Sequence, residues 1–358
     1  MSDGNPRLHF GGPDRPPRHL RTLLRNKVDA VPAGGSIVWA TYYFRDRDLA
    51  EALIAASDRG VAVTLHVEGH PRRASVNQQV IDRLRRHGLN GGLHVHAPTL
   101  PMLAGAHPHL HSKIYAFSHP EPVALVGSFN PSGDVPEDAE VIAEIGDQDR
   151  GHNLLVELID PALVTALVGH VTALHRPFAR MRPAQNRAIA SADTRIWFYP
   201  RLRTDILGGH MRAAGAGSRI RGAISHLKQG DLVNGLARAA RAGASVRLIV
   251  HDTERRVPEA AVSMLAAAGV EIGRYRHADH LPLHAKLLLV EDRGVETAWF
   301  GSFNYNPRSR WLNRELLVAS RERAIVEALG DRFETIAAEI AAVARERRAP
   351  SFCHERMN

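Results

Sequence analysis

HSKIYAFSHPEPVALVGSFN begins at His111 and HAKLLLVEDRGVETAWFGSFN begins at His284, so the chain carries one pattern twice: His-x-Lys, an apolar run, a break and Gly-Ser-Phe-Asn. The duplication extends upstream. Residues 36 to 67 (SIVWATYYFRDRDLAEALIAASDRGVAVTLHV) lie over 219 to 250 (RIRGAISHLKQGDLVNGLARAARAGASVRLIV) at a constant offset of 183 with no gap. Asp48 meets Asp231, Leu53 meets Leu236 and Gly60 meets Gly243. Each copy reads as a β-rich run, an amphipathic helix with apolar residues three and four apart, a Gly stop and an alternating strand. A second helix and Gly follow in both (VIDRLRRHGL and AVSMLAAAGV) before the His-x-Lys strand. Repeated βαβα units of this size imply two α/β halves related by an approximate twofold axis, an internal version of a homodimer.

The chain is long enough for this: 358 residues with 44% hydrophobic content supply two moderate cores. The join is expected within RPFARMRPAQNRAIASADT (176–194), dividing a first half at 19–185 from a second at 186–348. The Gly- and Pro-rich start, 1–18, is expected to be a flexible tail, and 349–358 a second tail. The last helical segment, ERAIVEALGDRFETIAAEIAAVARERR, is amphipathic and expected to pack on the body rather than on a membrane surface. No run of about 18 apolar residues and no apolar leader core is visible, so the cytoplasm is the expected location. The one cysteine, Cys353, excludes an intramolecular disulfide and argues against a thiolate zinc site.

Net charge is +8, which suits a polyanionic partner, although arginine makes up 42 of the 46 basic residues and is spread along the chain. That bias makes lysine informative. Of only four lysines, Lys113 and Lys286 occupy the same place in the two motifs.

Strand periodicity puts His111 and Lys113 on one face, and His284 and Lys286 likewise. Ser128 and Asn130, and Ser302 and Asn304, offer small hydrogen-bonding groups to an oxyanion at the end of the following strand. Two copies facing one another therefore supply two imidazoles, two ammonium groups and two amides, the inventory for cleaving a phosphodiester without a metal. One neutral histidine attacks phosphorus while the other protonates the leaving oxygen. A nucleophilic histidine also needs its second ring nitrogen oriented, and Glu140 and Glu315, ten and eleven residues after the two asparagines, are the candidate carboxylates.

At this point the chain resembles the phospholipase D superfamily, whose pattern is H-x-K-x4-D followed by G-S/G-x-N in each half of a bilobal α/β sandwich. The resemblance spans roughly residues 20 to 345. It implies two pseudo-twofold-related α/β/α halves enclosing one active site, a covalent phosphohistidine, no required cofactor or metal, His111 as nucleophile and His284 as general acid. The family's Asp after the lysine is Ser118 in the first copy and Glu291 in the second. The resemblance does not choose the substrate, which could be a phospholipid, a smaller phosphodiester or nucleic acid. Nor does it choose between hydrolysis and transfer to another acceptor, and the oligomeric state is left open because one chain holds both motifs.

Three further features lie near the motifs. His107, His109 and His111 alternate in HPHLH, a metal-binding spacing interrupted by Pro108, and a loop at the rim of the site is the favoured reading. HVEGH (66–70) and HADH (277–280) fall where strand ends approach the cleft. NPRSRWLN (306–313) offers Arg308, Arg310 and Trp311 as substrate contacts.

Overall fold

The computed structural model describes residues 6–98, 107–132, 149–175, 187–201 and 206–348. Glu140, Cys353, the expected tail at 349–358 and the expected junction at 185/186 lie outside these residues. In chain order the strands are β1 (Leu8–Phe10), β2 (Ser36–Thr41), β3 (Ala62–Glu68), β4 (Leu93–His96), β5 (Ile114–Phe117), β6 (Val123–Gly127) and β7 (Leu154–Leu158). They continue with β8 (Ile189–Ala190), β9 (Thr194–Tyr199), β10 (Arg219–Ile224), β11 (Ser245–His251), β12 (Glu271–Tyr275), β13 (Lys286–Asp292), β14 (Val295–Gly301) and β15 (Glu315–Ser320).

Two sheets result, ordered β1-β7-β6-β5-β2-β3-β4 and β12-β11-β10-β13-β14-β15-β9-β8. In each, three parallel strands (β2, β3, β4 or β10, β11, β12) meet an antiparallel set that begins with the strand after the His-x-Lys motif. This is the repeat realised in space, and the fold is the two-half α/β arrangement expected from it. Gly60 and Gly243 both take positive φ, 88° and 91°, where each first helix stops and turns into its parallel strand.

Side-chain alternation along the strands sorts the apolar residues into three layers. In β2, Ile37 and Trp39 join an outer core with the helices His19–Asp29, Arg47–Asp58 and Gln78–His87, while Val38 and Ala40 face inward. In β13, Leu288 and Val290 face the other outer core, while Leu287 and Leu289 face inward. The inward residues of both sheets share one central core with Leu163 and Leu167 of the helix Pro161–Thr172 and Leu329 and Phe333 of the helix Arg323–Arg348. The terminal helix is thus packed into the body. Among the described residues no helix is long and apolar enough to cross a membrane.

The start of the chain departs from the expected tail. Leu8–Phe10 pairs antiparallel with β7, as β9 pairs with β15 in the other half. Arg332, 3% exposed, donates to both Asp14 carboxylate oxygens at 2.8 Å and to Gly11 O at 2.6 Å. Gly and Pro content reports local backbone freedom, whereas this segment is ordered by main-chain pairing to a strand some 150 residues away, which composition does not encode.

Because the central core draws on both halves, the protein is expected to unfold in a single cooperative transition by calorimetry. Phe300→Ala, in the middle of that core and fully buried, should lower the stability of the whole by about 3–5 kcal/mol. Two separable transitions, or loss of only one, would contradict a shared core.

Candidate active site

His111 and Lys113 lie just before β5, and His284 precedes Lys286 at the start of β13. Each lysine lies alongside its own histidine, Lys113 Nζ donating to His111 O at 2.6 Å and Lys286 Nζ to His284 O at 2.7 Å. His111, His284, Asn130 and Asn304 line one cleft of about 690 Å³, with Tyr42, Tyr43, His109, His226 and Asn313 among their neighbours. The structure thus brings the two motifs together.

What aims the histidines comes from the opposite half. His111 N–H donates to Arg314 O at 2.9 Å, and His284 N–H donates to His152 O at 3.0 Å, each within a short parallel bridge between the halves. The residue after each bridging partner then meets the ring. His111 Nδ1 lies 2.8 Å from Glu315 Oε2, and His284 Nδ1 lies 2.9 Å from Asn153 Oδ1. With Nδ1 donating in both, each Nε2 is left for the cleft.

The two partners are equivalent in place and different in charge. Glu315 is the expected carboxylate, and its counterpart among the described residues is the amide of Asn153. Asn153 stands 23 residues after Asn130, whereas Glu315 stands 11 after Asn304, so equal spacing does not find Asn153. The usable signal was the strand that follows: NLLV at 153–156 matches ELLV at 315–318.

Ser128 and Ser302 also depart from expectation. Ser128 Oγ donates to Asn153 Oδ1 at 3.0 Å and accepts from Leu154 N, while Ser302 Oγ donates to Glu315 Oε2 at 2.7 Å and accepts from Leu316 N. Both are fully buried, with the one hydroxyl hydrogen committed. They support the orienting residues rather than an oxyanion. The preceding glycines permit it: a Cβ on Gly127 would sit 2.1 Å from Leu154 O, and one on Gly301 2.6 Å from Leu316 O.

Asn130 keeps its expected place, its Oδ1 accepting from Tyr43 N at 3.3 Å so that its NH2 end is the one a ligand would meet. Of the three expected contacts in NPRSRWLN, Arg308 lines the cleft with the histidines, whereas Arg310 and Trp311 line an adjoining pocket of about 380 Å³. Arg310 pairs with Asp231 and stacks over the Trp311 ring. This segment is a one-turn helix, Pro307–Trp311, capped by Asn306. From it Ser309 Oγ donates to Glu315 Oε1 at 2.6 Å. His107 and His109 converge on Glu68, with ligand atoms of the three within 4.8 Å of one another, a grouping that could hold a metal ion, and His111 is not part of it. His111 goes to Glu315, and His107 lies 3.0 Å from buried Glu68, which accepts from Leu110 N and anchors the loop. Ser118 and Glu291 stand at the far ends of their strands. There Ser118 Oγ accepts from Ser36 N, and Glu291 accepts from Arg219 on the neighbouring strand.

Burial dominates the electrostatics. It lowers His111 to about 4 against the pull of Glu315, and lowers Lys113 to about 7. His284 and Lys286 are also pushed well below their usual values, by burial and by the other cations of the site. Burial opposes charge on Glu315 too, but His111, Lys113 and Ser309 hold its carboxyl below the ordinary value. The cleft is therefore lined by neutral imidazoles, with two buried lysine amines behind them whose charged form an anion would stabilise.

The family described as cardiolipin synthase, PLD-like domain, matches residues 32–150 and 211–337, one stretch in each half. No curated protein sequence matches the chain. Among solved structures, phosphatidylserine synthase from Haemophilus influenzae Rd KW20 is similar with a TM-score of 0.66, covering 95% of this chain and 93% of that one at 12% identity. Polyphosphate kinase from Porphyromonas gingivalis is similar with a TM-score of 0.59 over 93% of this chain at 14% identity, and the match spans 50% of the kinase's own length. At such identities the likeness is one of fold.

Histidine NMR should find His111 neutral throughout pH 5.5–8 and His284 titrating well below an ordinary histidine. Asn153→Asp, by giving His284 a carboxylate partner, should raise its pKa by about 1–3 and leave His111 near its original value. An unmoved His284 would contradict the crossed pairing. In linkage terms, unfolded histidines take protons near pH 6.5 while folded His111 does so only near 4. Native stability should therefore fall as pH drops through that interval, seen as a falling Tm.

Proposed function

The chain belongs to the family of the cardiolipin synthase PLD-like domain, and on that premise we propose that it breaks a phosphodiester through a covalent phosphohistidine and passes the retained group to water or an alcohol. The observation that carries this reading is the crossed pair of hydrogen bonds, which fixes both histidines by Nδ1 in one cleft between the halves.

In the first step His111 Nε2 attacks phosphorus, an N–P bond forms and the P–O bond to the leaving group breaks. Glu315 accepts the His111 Nδ1 hydrogen and balances the positive charge that grows on that ring. His284, protonated at Nε2 once the anionic substrate offsets the surrounding cations, gives that proton to the departing oxygen. Its partner Asn153 orients the ring without a charge that would retain the proton, so the imidazolium is a strong acid. In the second step neutral His284 takes a proton from water or an alcohol, whose oxygen attacks phosphorus and releases His111. Lys113 and Lys286, with Asn130 and Asn304, hold the nonbridging oxygens as charge builds.

A phospholipid is the favoured substrate. The family description supports it, and so does the pocket that adjoins the cleft through Lys228, Asn306 and Pro307 and is walled by Tyr199, Leu207, Phe303 and Tyr305. Such a wall suits an apolar portion of the substrate.

Intact-protein mass measured on His284→Ala after incubation with mixed phospholipids should reveal a phosphatidyl adduct absent from His111→Ala. A nucleotide adduct after incubation with short oligonucleotides would instead assign nuclease chemistry, and an adduct on His111→Ala alone would reverse the roles. Glu315→Gln should lower turnover of a chromogenic phosphodiester by roughly 10²-fold or more, with no comparable loss in KM. Unchanged turnover would remove Glu315 from the mechanism.

A further inference from the structure

Two stretches of the sequence, HVEGH (66–70) and HPHLH (107–111), are left unused by the reaction apart from His111. The fold joins them. Glu68 is the last residue of β3, and the loop that leads to His111 is tied to that strand end by Leu110 N, which donates to Glu68 Oε2 at 2.7 Å. Glu68 is fully buried, and the two histidines that approach it, His107 and His109, are nearly so, with side chains 8% and 12% exposed. Their rings stand 5.4 Å apart and close to perpendicular, at 85°.

Hydrogen bonding accounts for only part of this cluster. An ionised carboxylate has about four lone-pair sites, and the main-chain N–H groups of His70 and Leu110 take one on each oxygen. His107 Nε2 comes within hydrogen-bond reach of Oε1 at 3.0 Å, whereas His109 Nδ1 stops 3.9 Å from Oε2, too far for a hydrogen bond. His109 Nδ1 is itself buried and finds no hydrogen-bond partner among the described residues. A buried polar nitrogen left in that way costs free energy. A cation seated among the three side chains removes the cost. Zinc binds imidazole nitrogen and carboxylate oxygen at about 2.0–2.2 Å, so two of its ligand atoms stand no more than about 4.4 Å apart. The three atoms here all lie within 4.8 Å of one another, and a movement of about half an ångström brings them onto one ion.

The repeat does not require this set. At the offset of 183 Glu68 lies over His251, and counting back from His284 puts His280 and Pro282 where the first half has His107 and His109. The trio is an addition to the common frame, made in the half that carries His111. We propose that Glu68, His107 and His109 bind a divalent ion of the zinc class, and that the ion locks the loop that sets His111. Two imidazoles with one carboxylate favour zinc over magnesium, a hard ion that prefers oxygen ligands. Three protein ligands leave one position of a tetrahedral ion to water. The ion's place is beside the reaction rather than in it. His111 is not a ligand, because its Nδ1 is held by Glu315. It is coupled to the site through the chain and through Tyr42, whose ring packs on His109 at 5.4 Å and on His111 at 4.8 Å between centroids. The inference does not depend on the phosphodiester reading, since the ion binds or fails to bind whatever the histidines of the cleft act on.

Calorimetric titration of zinc chloride into the chelator-stripped full chain, repeated on His109→Gln, His107→Gln and His111→Ala, tests the site. One zinc should bind per chain. Each of the two glutamine variants should weaken it at least about 100-fold, the upper end of what losing a mere outer-shell partner costs, while His111→Ala should bind as the wild type does. Magnesium at the same concentration should give no comparable binding. Zinc should raise the Tm of the wild type and not that of the glutamine variants, and a Tm shared with the wild type in chelator shows that a variant is folded. Hydrogen exchange at the Leu110 and His111 amides should slow when zinc is added. Wild-type affinity in a folded His109→Gln protein, or loss of binding in His111→Ala, would overturn the trio. Loss in His94→Gln instead would move the ion to the stacked imidazoles of His66, His94 and His175 and overturn it equally. Binding that leaves exchange at both amides unchanged would overturn the lock on the loop.

Discussion

The structure turns on the exchange of hydrogen bonds across the pseudo-twofold axis. His111 is held by Glu315 and His284 by Asn153, and in each case the main chain next to the histidine also bridges to the main chain next to its partner. Neither half can aim its own histidine. Such a site exists only when both halves are docked, which gives the shared central core a functional meaning: the apolar faces of the two sheets and the helices Pro161–Thr172 and Arg323–Arg348 hold two imidazoles at a fixed separation.

The same exchange is where the symmetry breaks. Glu315 collects hydrogen bonds from His111, Ser302 and Ser309, so a carboxylate is kept ionised without contact with water. Asn153 receives His284 and Ser128 in the same geometry but adds no charge. A symmetric frame with one charged and one neutral orienting group gives two chemically identical rings different proton affinities. That difference is what a reaction needing a nucleophile and an acid demands.

The glycine and serine of each motif belong to this apparatus rather than to the ligand. Gly127 and Gly301 let the motif strand approach β7 or β15 too closely for any side chain, and the serine that follows ties the orienting residue in place. The expectation that the serines contact phosphate follows from their type, because hydroxyls beside an oxyanion site are commonly donors. It failed because one hydroxyl has one hydrogen, and the neighbouring strand had claimed it. Arg310 and Trp311 depart from the expected contact for a comparable reason: the one-turn helix places them in the adjoining pocket while Arg308 lines the cleft of the histidines.

Much of this protein was legible in its chain alone, because duplication is a strong constraint and strand periodicity is local. The two α/β halves, the positions of His111, Lys113, Asn130, His284, Lys286 and Asn304, and the choice of Glu315 as an orienting carboxylate all follow from order and spacing. Tertiary structure decided what depended on contacts between distant segments. It paired Leu8–Phe10 with β7, set Asn153 against the His284 ring, turned the serines inward and brought Arg72 and Arg255 into one cleft. The reason is physical. Periodicity reports which way a side chain points from its own strand, but a hydrogen bond across the pseudo-twofold axis depends on where the other half of the chain arrives.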